Sequence, residues 1–235
     1  MRRMLIALAA LALCAGAQAQ HFVSSSWTTP NTASSLTIAS PAVGDSVFIV
    51  FAGSSSQMPT TVTLGSTSLS ESSTCAPTEY SETVCLWYLP NVVSPSTTIS
   101  WTTIIMASEF EFSGMNTASI VDAAGTCATT TTCAASLTPV QAKEVVISGM
   151  YGSNICTAAI PIAFTNATDS AGSFCQGLNP VAFEAGISSA IATITATGSG
   201  YGGGGTYNTL GAIWSFKASA PATGHVQYGY PTVIQ

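Results

Sequence analysis

Hydrophobic and polar residues alternate along much of the chain, and the segment ASEFEF is the clearest case. In an extended strand Phe110 and Phe112 would point to one side, and Glu109 and Glu111 to the other. A helix would place the two rings roughly 200° apart around its axis, so no single core could bury both. The alternation therefore predicts a strand whose phenylalanines are buried and whose glutamates face solvent.

Similar segments recur along the chain, separated by turns rich in Gly, Pro and Ser. The apolar run DSVFIVF at 45–51 is typical of a central strand. Further strands are predicted at 21–27, 35–40, 60–65, 83–88, 97–103, 119–122, 144–151, 183–197 and 210–217. About ten strands without a clear amphipathic helix predict an all-β fold, a single antiparallel β-sandwich stapled by disulfides. Jelly-roll and immunoglobulin-like topologies both stay open, because they differ in strand order and not in alternation.

The N-terminal segment has the three parts of a secretory signal peptide. Arg2 and Arg3 precede an apolar run at 4–14, and Ala17-Gln18-Ala19 fits a signal peptidase site. The apolar run is too short to span a bilayer. We predict a signal peptide at 1–19, a β-sandwich domain at 20–217 and a Pro/Ala/Gly-rich tail at 218–235. No repeat of roughly 20–50 residues is evident, and the protein is expected to be secreted, extracellular or on the cell surface.

The charge balance is acidic, with 4 basic and 10 acidic residues in the whole chain. Removal of the predicted signal peptide would leave Lys143 and Lys217 against all ten acids, a net charge of −8. A surface of this sign repels phosphate backbones, which argues against nucleic-acid binding.

Six cysteines follow the predicted signal peptide: Cys75, Cys85, Cys127, Cys133, Cys156 and Cys175. An even number in an exported chain predicts three disulfides, for which six cysteines allow 15 connectivities. We expect pairing between neighbours along the chain, because each bond then closes a local loop. Thiolate metal binding is less favoured, since the C-x2-C spacing and a nearby histidine are both missing.

Glu109 and Glu111 are the acids whose spacing suits chemistry best. Two residues apart on a strand, they would lie about 7 Å from each other. That separation suits the carboxylate pair of a glycosidase, and with Asp122 they could also chelate calcium. The simplest interpretation is the solvent side of a half-exposed strand, because a glycosidase pair usually faces across a cleft. We therefore expect no cofactor, with calcium as the alternative.

His21 lies close to the predicted mature N-terminus. In copper-dependent polysaccharide monooxygenases, which are secreted β-sandwiches, an N-terminal histidine and a second histidine form a copper brace. Cleavage after Ala19 would leave Gln20 first, and the other histidine, His225, lies in the predicted tail. A copper brace at His21 is therefore a minor alternative, and the same scarcity of histidines argues against a Ser-His-Asp triad.

A glycine-rich run at 198–205 lacks the Lys-Ser/Thr of a phosphate loop and is most simply a flexible connection between strands. Its functional alternative is a loop whose Tyr201 and Tyr207 stack on a sugar ring.

The four tryptophans divide by their positions on the predicted strands. Trp87 and Trp214 lie within strands and are expected in the core, where large aromatic rings add most stability. Trp27 and Trp101 lie near strand ends, where an exposed ring could form a binding platform.

The order of several short motifs resembles a diffuse class of secreted and phage-associated bacterial β-sandwich surface modules. These motifs are Gly44-Asp45, Trp87-Tyr88, Trp101, Glu111-Phe112-Ser113-Gly114, Val121-Asp122 and Glu144-Val145-Val146. The resemblance covers roughly residues 34–217. It implies a jelly-roll or immunoglobulin-like fold and a role in adhesion, glycan contact or structure, and it implies no catalytic residues.

We therefore expect a non-enzymatic secreted or surface module for glycan binding, adhesion or extracellular assembly. Its ligand-binding residues would be Tyr201, Tyr207 and Trp101, and its partner a glycan or a surface protein. One alternative is a polysaccharide-active enzyme that uses Glu109 and Glu111, or copper at His21. The other is a self-assembling structural subunit, because strands with so few charges lack the usual guards against edge pairing.

Overall fold

A computed structural model of the chain describes residues 20–28, 33–78, 81–129, 132–152, 162–169, 174–176, 181–199 and 209–219. These residues form β-strands in antiparallel pairs, with one short 3-10 turn at Ser55–Gln57 and no α-helix among them. The predicted all-β class is confirmed. In the part of the chain described, no helix is long and apolar enough to cross a membrane.

The first half of the chain contains β1 (His21–Trp27), β2 (Ser35–Thr37), β3 (Ser46–Ser54), β4 (Val62–Leu64), β5 (Thr67–Ser68), β6 (Ser70–Glu71), β7 (Glu82–Leu89), β8 (Thr98–Trp101) and β9 (Met106–Ser113). The second half contains β10 (Val121–Thr129), β11 (Thr132–Leu137), β12 (Val145–Tyr151), β13 (Ile162–Phe164), β14 (Ala167–Asp169), β15 (Phe174–Gln176), β16 (Val181–Ser188), β17 (Ile194–Ser199) and β18 (Thr209–Phe216).

These strands form four sheets, so the expected single sandwich of about ten strands is not confirmed. The first half forms an inner sheet, β1-β9-β3-β7-β6, and an outer sheet, β2-β8-β4-β5. The second half forms an inner sheet, β10-β18-β12-β16-β14 with β15 also on β16, and an outer sheet, β11-β17-β13. Alternation along a strand shows which residues share a face, but it does not show how many layers cover that face.

The two inner sheets face each other across the largest apolar core. Phe48 and Phe110 of the first half pack in this core with Trp214 and Phe216 of the second half. Each outer sheet then buries the other face of its own inner sheet in a separate apolar cluster. The central strands of the inner sheets, β3, β12 and β18, are consequently buried on both sides, and β18 is buried at every position.

The two halves wind their nine strands in the same order. Adding nine to each strand number of β1-β9-β3-β7 yields β10-β18-β12-β16, and β2-β8-β4 becomes β11-β17-β13. The halves differ at β5, which joins an outer sheet, and at its counterpart β14, which joins an inner sheet. The chain therefore contains a structural repeat that is longer than the roughly 20–50 residues of common sequence repeats.

Local details repeat as well. The first strand of each half has an irregular register at the same place, between Phe22 and Ser24 in β1 and between Val121 and Ala123 in β10. The turn that precedes β3 contains Gly44 with φ of 99°, and the matching turn before β12 contains Lys143 with φ of 68°. Equivalent positions can thus be compared between the halves.

Among the described residues two disulfides join cysteines that are neighbours along the chain, as expected. Cys75 bonds to Cys85 on β7, and Cys127 bonds to Cys133 between β10 and β11. Cys156 lies outside the described residues, so its predicted bond to Cys175 stays a prediction. Disulfides persist in oxidising compartments, so the two bonds indicate an extracellular type of environment.

Candidate functional site

A half-open pocket of about 190 Å³ lies where the two halves meet. Its lining combines polar and apolar side chains: Ser54, Gln57, Glu82, Ile105, Met106 and Tyr151. All but Tyr151 belong to the first half, and Tyr151 ends β12 in the second half. We call this feature the seam pocket.

Neighbouring strands of the first inner sheet position the lining. Ser54 ends β3 and pairs with Glu82 at the start of β7, while Met106 starts β9 and pairs with Ala52. Gly53 has a φ of 149°, and a Cβ atom there would lie 3.3 Å from the Ile105 side chain. Glycine therefore permits both the backbone turn and the close approach of the segment before β9.

Glu82 and Tyr151 form the polar side of the seam pocket. Burial raises the pKa of Glu82, and its hydrogen bond with Tyr151 opposes that shift in part. Burial also raises the pKa of Tyr151, and the charge of Glu82 raises it further. At neutral pH the phenol therefore keeps its proton and can donate a hydrogen bond.

The predicted solvent exposure of Glu109 and Glu111 is wrong. Glu109 is 0% exposed and Glu111 is 1% exposed, because the first outer sheet covers this face of β9. Trp101 is also not a surface platform: it is 6% exposed and packs edge-on against Phe51 at 5.1 Å. Buried glutamates cannot reach a polysaccharide chain, so the geometry does not favour the predicted hydrolytic pair.

Glu111 lies beside a third acid, Asp45, which comes directly before β3. Ser24 Oγ donates a hydrogen bond to Glu111 at 2.8 Å, and the Ala42 N–H donates to Asp45 at 3.2 Å. Burial raises the pKa of Glu111, and the adjacent Asp45 carboxyl raises it further.

Glu109 lies deeper than the other two acids. Burial raises its pKa well above the ordinary range, and the charge of Glu111 adds to the shift, while the backbone of Ser26 opposes it. Neither carboxyl oxygen of Glu109 has a hydrogen-bond partner of good geometry among the described residues.

Asp122 does not join Glu109 and Glu111. It lies on β10 in the second inner sheet, where its side chain contacts Lys217 Nζ at 3.5 Å and accepts a hydrogen bond from the Val140 N–H at 2.8 Å. The predicted calcium set Glu109, Glu111 and Asp122 is therefore not assembled. In the described part of the chain Glu71, Cys75 and Cys85 place their ligand atoms close together, but the two cysteines share a disulfide.

Several other predicted residues have definite outcomes. Trp87 and Trp214 are buried as expected, at 2% and 0% exposure, and Trp27 is 51% exposed. His21 starts β1, where it pairs with Ser113. Tyr201, Tyr207 and His225 lie outside the described residues, so the aromatic loop and the copper brace stay predictions.

The sequence reading missed Glu82, Gln57 and Tyr151, and it missed Asp45 as the partner of Glu111. No local pattern connects them, because Glu82 and Tyr151 meet only when the two inner sheets stack. The nearest signal was the turn before each central strand, where Gly44-Asp45 and Lys143-Glu144 stand in equivalent places.

Comparisons with protein-family models, with curated proteins and with solved structures find no match to this chain. The resemblance to secreted and phage-associated surface modules therefore stays a prediction from motif order.

Proposed function

We propose that the protein is a non-enzymatic extracellular binding module whose seam pocket holds one sugar ring of a glycan. The observation that carries this proposal is the hydrogen-bonded pair of Glu82 and Tyr151 in a half-open pocket of about 190 Å³. Sugars present hydroxyl groups at their edges and apolar C–H groups on their faces. Carboxylate, phenol and amide groups can form hydrogen bonds with the sugar hydroxyls, while Ile105 and Met106 can pack against the C–H faces.

The size of the seam pocket favours a small ligand. Pockets that enclose drug-sized molecules occupy roughly 300–1,000 Å³, and the seam pocket is smaller at about 190 Å³. A single ring of a longer chain fits such a volume, with the rest of the glycan in solvent. Ser54, Glu82, Met106 and Tyr151 are the ends of strands, so a ligand meets groups held by the sheets before it binds.

The lining also favours recognition over catalysis. Glycoside hydrolysis usually employs two carboxyl groups on opposite sides of the bond. Among the described lining residues one carboxyl group, that of Glu82, is present. Binding is therefore the simpler function for this set of side chains.

We also propose that each half is a jelly roll, since its strands pass back and forth between two sheets in the order described above. Leu210, the second residue of β18, pairs with Tyr151 beside the seam pocket. Tyr201 and Tyr207, which precede β18 in the chain, remain the predicted sugar-stacking residues. Secretion and a role in adhesion belong to the same proposal, and the two disulfides support the extracellular environment that both require.

A glycan array followed by titration of the strongest ligand tests this function. We expect Glu82→Gln to weaken binding by about tenfold or more, because hydrogen bonds to a charged group contribute roughly 1.5–3 kcal/mol. Tyr151→Phe, which removes one hydroxyl, should weaken binding by up to about tenfold.

Tyr88→Phe is the matched control, because Tyr88 packs against Phe216 at 6.0 Å and does not line the seam pocket. Its affinity should equal that of the unchanged protein. Absence of any bound glycan would reject the function, and equal binding by all three variants would place the ligand elsewhere.

A further inference from the structure

Three buried acids of the first half have no basic partner among the described residues. In the second half one of the three equivalent positions keeps an acid, Glu144, and that acid lies beside the Asp122–Lys217 ion pair. Asp45, Glu109 and Glu111 share one face of the first inner sheet, under the first outer sheet. We call this group the acid cluster. It lies at the opposite end of β3 from the seam pocket, so the two features are independent.

In the second half, the acids at the equivalent end of the sheet lie near a positive charge. Glu144 takes the place of Asp45, and each accepts a hydrogen bond of 3.2 Å from the N–H three residues earlier, that of Gln141 or Ala42. Next to Glu144 lies Asp122, whose partner is Lys217. A lysine ammonium is therefore built into this end of the second half.

The first half lacks that ammonium. Lys217 follows Phe216, and the residue that follows the equivalent Phe112 is Ser113. Burying carboxylates without a counter-charge is costly, so the acid cluster needs protons or a cation.

Glu109 provides the second and independent observation. It is completely buried, and neither of its oxygens has a hydrogen-bond partner of good geometry among the described residues. The equivalent position on β18 is occupied by Ile213, which is also completely buried. The fold thus accepts an apolar side chain at this position, and a carboxyl group is not needed for packing.

We propose that the acid cluster binds a divalent cation of the calcium class, held by Asp45, Glu111 and the Ser24 hydroxyl, with Glu109 next to Glu111 on the same face of β9. The cation replaces the ammonium that Lys217 supplies in the second half. Calcium accepts several carboxylate and hydroxyl oxygens in irregular geometry, whereas magnesium requires a near-ideal octahedron. This chemistry favours calcium, with water completing its shell.

The test uses the full chain, freed of metals with a chelator and titrated with calcium chloride in a calorimeter. We expect one calcium ion per chain, with a dissociation constant of about 10⁻⁴–10⁻³ M, as in other extracellular modules. Magnesium chloride should bind more weakly. Glu111→Gln should weaken calcium binding by about tenfold or more.

Glu144→Gln is the matched control, because it removes the equivalent turn-capping acid from the second half. It should bind calcium as the unchanged protein does. Ser113→Lys is a second variant, useful if Glu111→Gln does not fold. It places a lysine at the position of the first half that is equivalent to Lys217. That variant should fold without calcium and bind it at least about tenfold more weakly.

Two outcomes would overturn the proposal. One is that the unchanged protein binds no calcium at millimolar concentration and that Glu111→Gln has a higher melting temperature than the unchanged protein. That result would show that protons, and not a metal ion, neutralise the acid cluster. The other is full calcium binding by both Glu111→Gln and Ser113→Lys, which places the ion elsewhere.

Discussion

Five acidic side chains are buried among the described residues of this chain, which has ten acids in its full sequence. They are Asp45, Glu109, Glu111, Glu144 and Glu184. Glu144 has the most definite titration, because burial raises its pKa to about 7 and the nearby Asp122 raises it as well. Single buried acids therefore make the stability of the whole protein depend on pH.

The direction of this dependence follows from the raised pKa. The folded protein holds the Glu144 proton more tightly than the unfolded chain, so its stabilising effect is complete below pH 4.5 and is lost as the pH rises to about 7. Glu109 and Glu111 act in the same direction when no metal is present. We expect the free energy of unfolding, measured by urea titration with chelator, to be higher at about pH 5 than at about pH 8.

Glu144→Gln provides the control for that measurement. Glutamine carries no titrating group, so the variant should lose part of the pH dependence, on the order of 1 kcal/mol after allowance for solvent screening. Stability that increases between these two pH values would show that the buried acids are ionised and well compensated.

At the scale of elements, neighbouring atoms pack closely against two glycines, Gly125 and Gly149. β10 belongs to an inner sheet and β11 to an outer one, and the bond between Cys127 and Cys133 closes the connection between them. A Cβ atom on Gly125 would overlap the backbone carbonyl of Ser136.

A Cβ atom on Gly149 of β12 would lie 2.7 Å from side-chain atoms of Val50 and Val84 in the facing sheet.

We expect Gly125→Ala to destabilise the protein more than Gly149→Ala does. The carbonyl that opposes Gly125 belongs to a paired strand and cannot move without breaking its ladder, whereas the valines that oppose Gly149 can shift slightly. The loss at Gly149 should be about 1–3 kcal/mol, as for other overpacked cores. Melting temperatures of the two variants test this order, and an unchanged value for Gly125→Ala would contradict the tight crossing.

β1 is an edge strand of its sheet, and the earlier expectation of edge pairing concerns strands of this kind. Its irregular register between Phe22 and Ser24 is a bulge, a feature that disrupts regular pairing with another chain. Trp27 and Val23 on the same strand are 51% and 45% exposed. Self-association through this edge stays a prediction.

At the scale of the whole molecule, one core joins two halves of the same winding. Phe48, Phe110 and Phe112 come from the first half, and Trp214 and Phe216 from the second. Separation of the halves would expose this entire face on each of them. A soluble monomer rarely presents so large an apolar surface to water.

We therefore expect neither half to be a stable monomer by itself. Residues 20–116 and 117–219, produced separately, should aggregate or pair with each other, and the intact chain should unfold in one transition. Analytical ultracentrifugation and circular dichroism of the separate halves test this expectation. A monomeric, cooperatively folded half would contradict it, because the packing of one inner sheet on its outer sheet would then be enough to stabilise that half.

Much of the local structure followed from the sequence, because it depends on near neighbours. The strand at 107–112, the central strand at 45–51, the burial of Trp87 and Trp214 and the two neighbouring disulfides all agree with the structure. Alternation correctly placed Phe110 and Phe112 on one face and the glutamates on the other.

The burial of that second face was decided only by tertiary structure. Alternation has the same form whether the polar side of a strand meets water or another sheet, so Glu109, Glu111 and Trp101 could not be located from it. The stacking of four sheets, the pairing of Asp45 with Glu111 and the meeting of Glu82 with Tyr151 all join residues distant in the chain. Such contacts exist only once the sheets have packed, because no local pattern of residues specifies which layer covers which.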